Sequence, residues 1–345
     1  MLGKTVVMAP DSTSDSLLDS DRPVRWGILA TGGIAHSFAA DLALVADAEL
    51  VAVGSRAQES AGAFTAEYGG TGYGSYEALL ADPQVDVVYV ATPHGRHVED
   101  VRACFAAGKH VLCEKPLTLS AASAAALVEE ARAADLFLCE AMWMRTNPRV
   151  LGLLDAVHQG AVGEVRTLRA DFGFVAPYDP AGRLWDPALG ASALLDTGVY
   201  PMAFAYAVLG APETITAAGV LSDRGIDVRG GATLTYGSGA VATLSWSQTS
   251  WTDNRAAISG ADGRIDVPPR MHRPPSWSLT EGRGEPVEHA EEVLGHGYTH
   301  EIIEVERCLR AGLRESPLIP LDETVAILAV MDTMREQMGV VLPTG

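Results

Sequence analysis

Two short stretches carry side chains suited to moving a proton. In Cys113-Glu114-Lys115-Pro116 a lysine follows a buried-type apolar run. Pro116 removes an N–H and biases Lys115 to an extended backbone, which limits where the ammonium can point. In Leu195-Asp196-Thr197-Gly198-Val199-Tyr200, Asp196 and Tyr200 are four residues apart. If Asp196 sits in the first turn of a helix running to Leu209, the carboxylate and the phenol share one face. A phenol with a free pKa of ~10 is a poor acid or base at neutrality, but a nearby ammonium favours the phenolate. Lys115 could supply that charge, so Lys115, Tyr200 and Asp196 form the candidate catalytic set. The plainer alternatives are a Lys-Pro turn, an N-cap aspartate and a tyrosine half-buried at a domain seam.

A third stretch, Val24 to Ala30, opens into Thr31-Gly32-Gly33 and then into helical spacing from Ile34 to Val45. A dinucleotide pyrophosphate needs such a helix N-terminus and a turn free of side chains. Against the GxGxxG/A pattern the aligned residues are Ala30, Gly32 and Ala35, and Ala30 is tolerable there if its φ is negative. At the end of the second strand stands Gly54-Ser55-Arg56 in place of the acidic residue that binds the ribose of NAD. A hydroxyl followed by a guanidinium accepts a 2′-phosphate, so NADP is favoured over NAD, the alternative being Arg56 as a solvated loop residue. His296 and His300, with Glu301 adjoining, lack a third ligand and the HExxH order, so no metal is expected; His94 and His97 read as a crevice or loop pair.

These residues need elements to hold them. After the first strand come Leu50 to Val53, a helical stretch to Tyr68, Val85 to Ala91, a helix through Ala107, and His110 to Cys113. Ser120 is a plausible N-cap for an Ala-rich helix to Ala133, and Leu136 to Cys139 is one more strand. Continuous apolar strands alternating with helices call for a doubly wound parallel sheet. Beyond Pro148 a helix (Arg149 to His158) precedes β-forming runs at Val165 to Phe174, Thr214 to Val220, Ala232 to Tyr236 and Val241 to Ser247, which read as a largely antiparallel sheet. Helices at Tyr298 to Ala311 and Asp322 to Met338 close the chain. The expected fold class is α/β: residues 1–22 a flexible leader, 23–147 a dinucleotide-binding Rossmann domain, 148–345 a second α/β domain for substrate and oligomerisation.

Composition narrows the partners. With 345 residues, 48% hydrophobic and 20% charged, the chain is long enough for two cores. Lys and Arg number 25 against 44 Asp and Glu, and a net charge of -19 repels phosphate backbones. No apolar run reads as the ~18 residues of a membrane span, and Met1 to Asp21 lacks a secretory core. Cys104, Cys113, Cys139 and Cys308 form neither a disulfide framework nor a zinc motif, so a cytoplasmic setting is expected.

Val24-Arg25-Trp26-Gly27-Ile28-Leu29-Ala30-Thr31-Gly32 with Ile34-Ala35, Ala91-Thr92-Pro93 with His97, Glu114-Lys115-Pro116, and Leu195 to Tyr200 together resemble the glucose-fructose oxidoreductase / inositol dehydrogenase (Gfo/Idh/MocA) family. Arg25-Trp26-Gly27, Tyr73-Gly74-Ser75-Tyr76-Glu77, Glu140-Ala141-Met142-Trp143 with Arg145, and Ser316 to Leu321 resemble its branch of dimeric dihydrodiol dehydrogenases and NADP-dependent D-xylose 1-dehydrogenases. The resemblance runs from about Val24 to Pro343 and implies an open-faced sheet in the second domain, pairing into a homodimer or larger assembly. It also implies hydride transfer between a nicotinamide and a hydroxyl-bearing carbon of a sugar, polyol or trans-diol. Carried over motif by motif, Lys115 holds the substrate oxygen and tunes the acid, Tyr200 gives and takes the proton, and Asp196 orients substrate hydroxyls. Thr31, Gly32, Gly33, Ile34, Ser55, Arg56, Thr92, Pro93, His97, Glu114, Lys115, Trp143 and Arg145 line the cofactor. Ala30 departs from the usual glycine, and Asn147 replaces an expected aromatic. The rival readings are a non-catalytic NAD(P)-binding regulator on the same fold, which needs no Lys115/Tyr200 pair, and a hydrolase or lyase using the cofactor for transient oxidation.

Overall fold

The computed structural model describes residues 22–340. The expected leader therefore lies outside the described residues except for Arg22, which pairs with Asp86 at 2.6 Å.

The first half alternates β1 (Val24–Leu29), α1 (Gly33–Leu42), β2 (Ala48–Gly54), α2 (Gln58–Tyr68), β3 (Thr71–Tyr73), α3 (Tyr76–Leu80), β4 (Val87–Val90), α4 (His97–Ala106), β5 (His110–Glu114), α5 (Ala121–Ala133) and β6 (Leu138–Ala141). The strands lie in the order β3-β2-β1-β4-β5-β6, every neighbouring pair parallel. β4, β5 and β6 are buried along their whole length, as a sheet covered on both faces requires. The order reverses between β1 and β4, where open α/β sheets form their ligand crevice. Ser120 caps α5 as expected, accepting from Ser123 N. β3 and α3 were not anticipated: a three-residue strand, only partly buried, leaves too short a run to show periodicity.

The second half opens with α6 (Pro148–His158), whose N-cap is Asn147, accepting from Arg149 N at 3.0 Å. Next come β7 (Val165–Gly173), a π-helical turn at Leu194–Gly198 and α7 (Val199–Leu209). The strands β8 (Thr214–Leu221), β9 (Asp227–Thr235), β10 (Val241–Ser247), β11 (Ala256–Gly260), β12 (Gly263–Val267), β13 (Trp277–Glu281) and β14 (Val287–His289) follow. They form an eight-stranded sheet, β14-β13-β12-β11-β7-β10-β9-β8, antiparallel except for the parallel pair of β7 and β10. β11 to β14 went unread because they are short and carry charged residues such as Arg264, Asp266 and Glu281. β9 starts five residues before the apolar run at Ala232. Its Gly230 lets Trp246 lie flat on the sheet, since a Cβ there would meet the indole at 2.6 Å.

α8 (Tyr298–Arg310) packs on α1, and α9 (Leu321–Met338) lies between α5 and β8, so the end of the chain ties both sheets together. The Trp26 indole donates to Glu306 of α8 at 3.1 Å. Contrary to the expectation from sequence, Pro187–Leu209 is long and apolar enough to cross a membrane by length and composition, but 78% of its most apolar window is buried inside the fold.

Candidate active site

A cleft of about 1020 Å³ runs along the carboxyl edge of the first sheet to the face of α7 and the π turn. At one end are Ser55, Arg56, Ser60, Tyr76 and Arg96; at the other are Lys115, Asp196, Tyr200, Arg183 and His272.

The turn after β1 forms the floor. Gly32 is the N-cap of α1, with no side-chain cap and no acidic residue in the first turn, so the N–H groups of Gly33 and Ile34, which have no partner within the helix, belong to residues that line the cleft. A Cβ on Gly32 or Gly33 would meet nothing within 4 Å, which leaves the approach open. Ala30 has φ +85°, not the negative φ expected of it; it holds the conformation glycine adopts freely, with its N–H bonded to Gly54 O at 2.9 Å. The Thr92 hydroxyl is buried in the cleft wall without a partner. Capless helix N–H groups, an orphaned hydroxyl, and Ser55 with Arg56 where a carboxylate would otherwise stand are the donor set a dinucleotide needs. The residues present therefore fit NAD(P).

Lys115 stands at the end of β5. Its ammonium donates to the backbone oxygen of Asp196 at 2.8 Å and to Asp196 Oδ1 at 3.2 Å, and lies 4.8 Å from the centre of the Tyr200 ring. Arg183 donates to the same Oδ1 at 2.9 Å, and His94 Nε2 is 3.8 Å away. Burial works to raise the Asp196 carboxyl, but Lys115 and Arg183 outweigh it and hold the group well below the usual carboxylate range. Burial pushes His94 well down, so that ring is neutral. Glu114, also buried and raised by desolvation, accepts from Tyr89 Oη at 2.5 Å and from Lys115 N at 3.1 Å.

Asp196 lies in the π turn that precedes α7, not in the first turn of the helix, yet it and Tyr200 both line the cleft. An extra residue per turn is a common device at functional sites. Two features hold the turn. Buried Asp227 accepts from Ser192 Oγ at 2.5 Å, Leu194 N at 2.7 Å and Trp246 Nε1 at 3.2 Å, and Gly198 gives the Trp246 ring room that a Cβ would take.

The Tyr200 phenol accepts from Trp143 Nε1 at 2.9 Å. Indole is a donor only, so the phenol's own proton must point elsewhere. Trp143 is fixed in turn by stacking on Tyr298, with centroids 4.6 Å apart and planes 12° apart, and by Gly297, where a Cβ would touch the indole at 3.0 Å. Asp41, buried at the end of α1, accepts from the backbone N–H groups of His296, Gly297, Tyr298 and Thr299 and so anchors the start of α8. The expectation that Lys115 brings the phenol down is not met. Burial and then Glu114 push it well above the ordinary value, and the Trp143 bond only partly opposes them. The ammonium donates to Asp196 and sits over the Tyr200 ring.

Thr31, Gly32, Gly33, Ile34, Ser55, Arg56, Thr92, Pro93, Glu114, Lys115 and Trp143 all line the cleft. His97 and Arg145 do not. His97 is fully buried behind the wall, its Nδ1 2.9 Å from Pro116 O and its Nε2 2.9 Å from Thr92 O, so it braces the loop that carries Lys115. Arg145 turns away to pair with Glu323 of α9. His296 bonds Asp41 at 2.8 Å, and His300 accepts from Leu294 N at 3.2 Å. The sequence left Arg183, His272, Tyr298 and Asp41 unread, because each gains its role only through partners distant in the chain. Tyr298 opens a strongly apolar-faced helix, which could have marked it as a wall residue.

Residues 24–141 match a family described as an oxidoreductase family with an NAD-binding Rossmann fold, and residues 150–266 match the GFO/IDH/MocA C-terminal domain. The chain is 36% identical to the trans-1,2-dihydrobenzene-1,2-diol dehydrogenases of Mus musculus and Homo sapiens, in each case over 93% of this chain and 98% of the relative. Among solved structures it is similar to a 3-ketoreductase from Actinomadura kijaniata in complex with NADP and TDP-benzene, at 28% identity and a TM-score of 0.83 over 92% of this chain and 98% of that one. An aldose-aldose oxidoreductase from Caulobacter crescentus shares the fold, with a TM-score of 0.84 at 24% identity, over 92% of this chain and 97% of that one. Two family domains in tandem, relatives matched almost end to end and a cleft with dinucleotide chemistry agree: the chain belongs to the Gfo/Idh/MocA family of NAD(P)-binding oxidoreductases.

Proposed function

We propose that this is an NADP-preferring dehydrogenase or reductase acting on a secondary hydroxyl of a sugar, polyol or trans-diol, with Tyr200 as proton donor and acceptor. The observation that carries the reading is the Trp143 bond at 2.9 Å, which occupies the phenol oxygen as acceptor and frees its proton for the cleft. Lys115 holds the substrate oxygen, and Asp196, kept ionised by Lys115 and Arg183, accepts from neighbouring substrate hydroxyls. When bound, the nicotinamide supplies or accepts the hydride. A regulator on the same fold would need neither the phenol nor the ammonium at this end of the cleft.

The test is an NADP⁺-reduction screen over aldoses, inositols and trans-diols with the purified full chain. Turnover that needs a vicinal hydroxyl supports the reading; tight NADP binding with no turnover on any of them refutes it in favour of a regulator.

The same reading includes a division of the chain near Asn147, a cytoplasmic setting and a homodimer. All four cysteines are buried free thiols, which supports a reducing compartment. Leu244 and Trp246 of β10 are buried in the core at 4% and 2% exposure. The open face instead presents Arg169, Asp171, Thr243, Ser245 and Arg255, and Trp251 nearby is 75% exposed. A second copy pairing across this polar face would cover Trp251; light scattering that gives a monomer mass at micromolar concentration contradicts the dimer.

A further inference from the structure

His272 has no task in the chemistry above. It lies between β12 and β13 and lines the substrate end of the cleft, its ring 5.3 Å from that of Tyr200, 4.4 Å from Phe172 and 5.8 Å from Trp143, centre to centre. Burial, with Arg273 and Lys115 adding to it, pushes the imidazole down to about 3, so the ring is neutral from mildly acidic pH upward. A neutral imidazole carries a single N–H. Nδ1 is enclosed and has no partner. An enclosed N–H without an acceptor is rarer than an enclosed lone pair, so the proton belongs on Nε2, the ring nitrogen that is not enclosed.

We propose that His272 is a neutral hydrogen-bond donor of the substrate subsite, giving its Nε2–H to a hydroxyl other than the one that reacts. The inference rests on the alcohol-oxidoreductase reading and narrows its substrate class to polyhydroxylated molecules. A wall of Phe172, Tyr200 and Trp143 alone would suit a flat apolar diol. A lone donor set among those rings is left unsatisfied when an apolar ring covers it, and that loss discriminates against such a ligand. Across the cleft the Asp196–Lys115–Arg183 cluster offers complementary partners for further hydroxyls.

The experiment compares wild type, His272→Phe and His272→Asn on two probes at saturating NADP⁺: an inositol with a continuous run of hydroxyls, and trans-1,2-cyclohexanediol with only two. In His272→Phe the KM for the inositol should rise about tenfold with kcat within twofold, the scale of one neutral hydrogen bond. For the diol, kcat/KM should stay within twofold. His272→Asn keeps an N–H donor and should recover most of the inositol KM; it also decides the matter if the Phe variant fails to fold, as judged by lost NADP binding. The pH profile of kcat between pH 5 and 9 should be the same in all three, because the ring does not titrate there. Equal losses on both probes, an unchanged inositol KM in His272→Phe, or a wild type active on the diol alone overturn the proposal. A wild type inactive on both probes, together with the whole alcohol screen, overturns the underlying reading and this inference with it.

Discussion

The bond from Trp143 to Tyr200 allows the proton assignment to be tested through two variants that differ in kind. Tyr200→Phe keeps the buried ring and removes the only transferable proton at its position, so turnover should fall by about 10²- to 10⁴-fold, the usual worth of general acid/base catalysis. Trp143→Phe keeps a ring to stack on Tyr298 but removes the donor to the phenol oxygen. That bond favours the phenolate, because the oxygen accepts more strongly when charged. Its loss, about 0.5–1.5 kcal/mol, corresponds to a ~2- to 12-fold change in rate and moves the phenol pKa further up. The sign is fixed by direction of reaction. In alcohol oxidation Tyr200 must accept a proton, so the rate climbs with pH through the phenol pKa, and Trp143→Phe displaces that limb to higher pH. In carbonyl reduction Tyr200 donates, and the same variant extends the plateau at the alkaline end. Initial rates of NADP⁺ reduction and NADPH oxidation between pH 6 and 11 measure both. A Tyr200→Phe enzyme that keeps more than a third of wild-type turnover, or a Trp143→Phe limb that moves to lower pH, refutes the reasoning.

Lys115→Met removes the ammonium that binds Asp196 and the substrate oxygen, and should lower kcat/KM at least as far as Tyr200→Phe while leaving the NADP Kd within a few-fold by fluorescence titration. Arg56→Ala should weaken NADP by about 1.5–3 kcal/mol, roughly 10- to 150-fold in Kd, and spare NAD; calorimetry showing equal losses for both dinucleotides contradicts the 2′-phosphate assignment. Burial pushes the Glu306 carboxyl up to about 7, above its value in the unfolded chain, so the folded protein holds a proton that the unfolded chain releases between about pH 4.5 and 7. Stability should therefore be greatest below about pH 4.5 as far as this group is concerned. It should be lost as pH rises to 7, on the order of 1–2 kcal/mol after screening by solvent, and Glu306→Gln should abolish that slope in urea unfolding while still accepting from Trp26. Asp41→Asn replaces a carboxylate that accepts several backbone N–H groups at the start of α8, and should cost about 2–3 kcal/mol in urea unfolding; a midpoint unchanged from wild type removes Asp41 from the support of Trp143.

Local pattern made the strand–turn–helix at Val24–Leu42 and the parallel sheet legible, because hydrophobic period and residue type are properties of short windows. The supports of the site are not of that kind. Trp143 meets Tyr200 57 residues on, Lys115 meets Asp196 across 81, and Asp41 reaches His296 across 255. The error over the phenol shows what such distance hides. From sequence, one cation near one tyrosine argues for an easier phenolate. In the folded chain a wall of Phe172, Trp143, His272 and Tyr298 removes water from the ring, Glu114 adds a like charge, and the cation is already engaged by Asp196. Desolvation of a full phenol outweighs a committed ammonium 4.8 Å from its ring centre, so Tyr200 holds its proton at neutrality. A protonated phenol donates in carbonyl reduction and must first give up its proton in alcohol oxidation, so the forward and reverse rates of this cleft should change with pH in opposite senses.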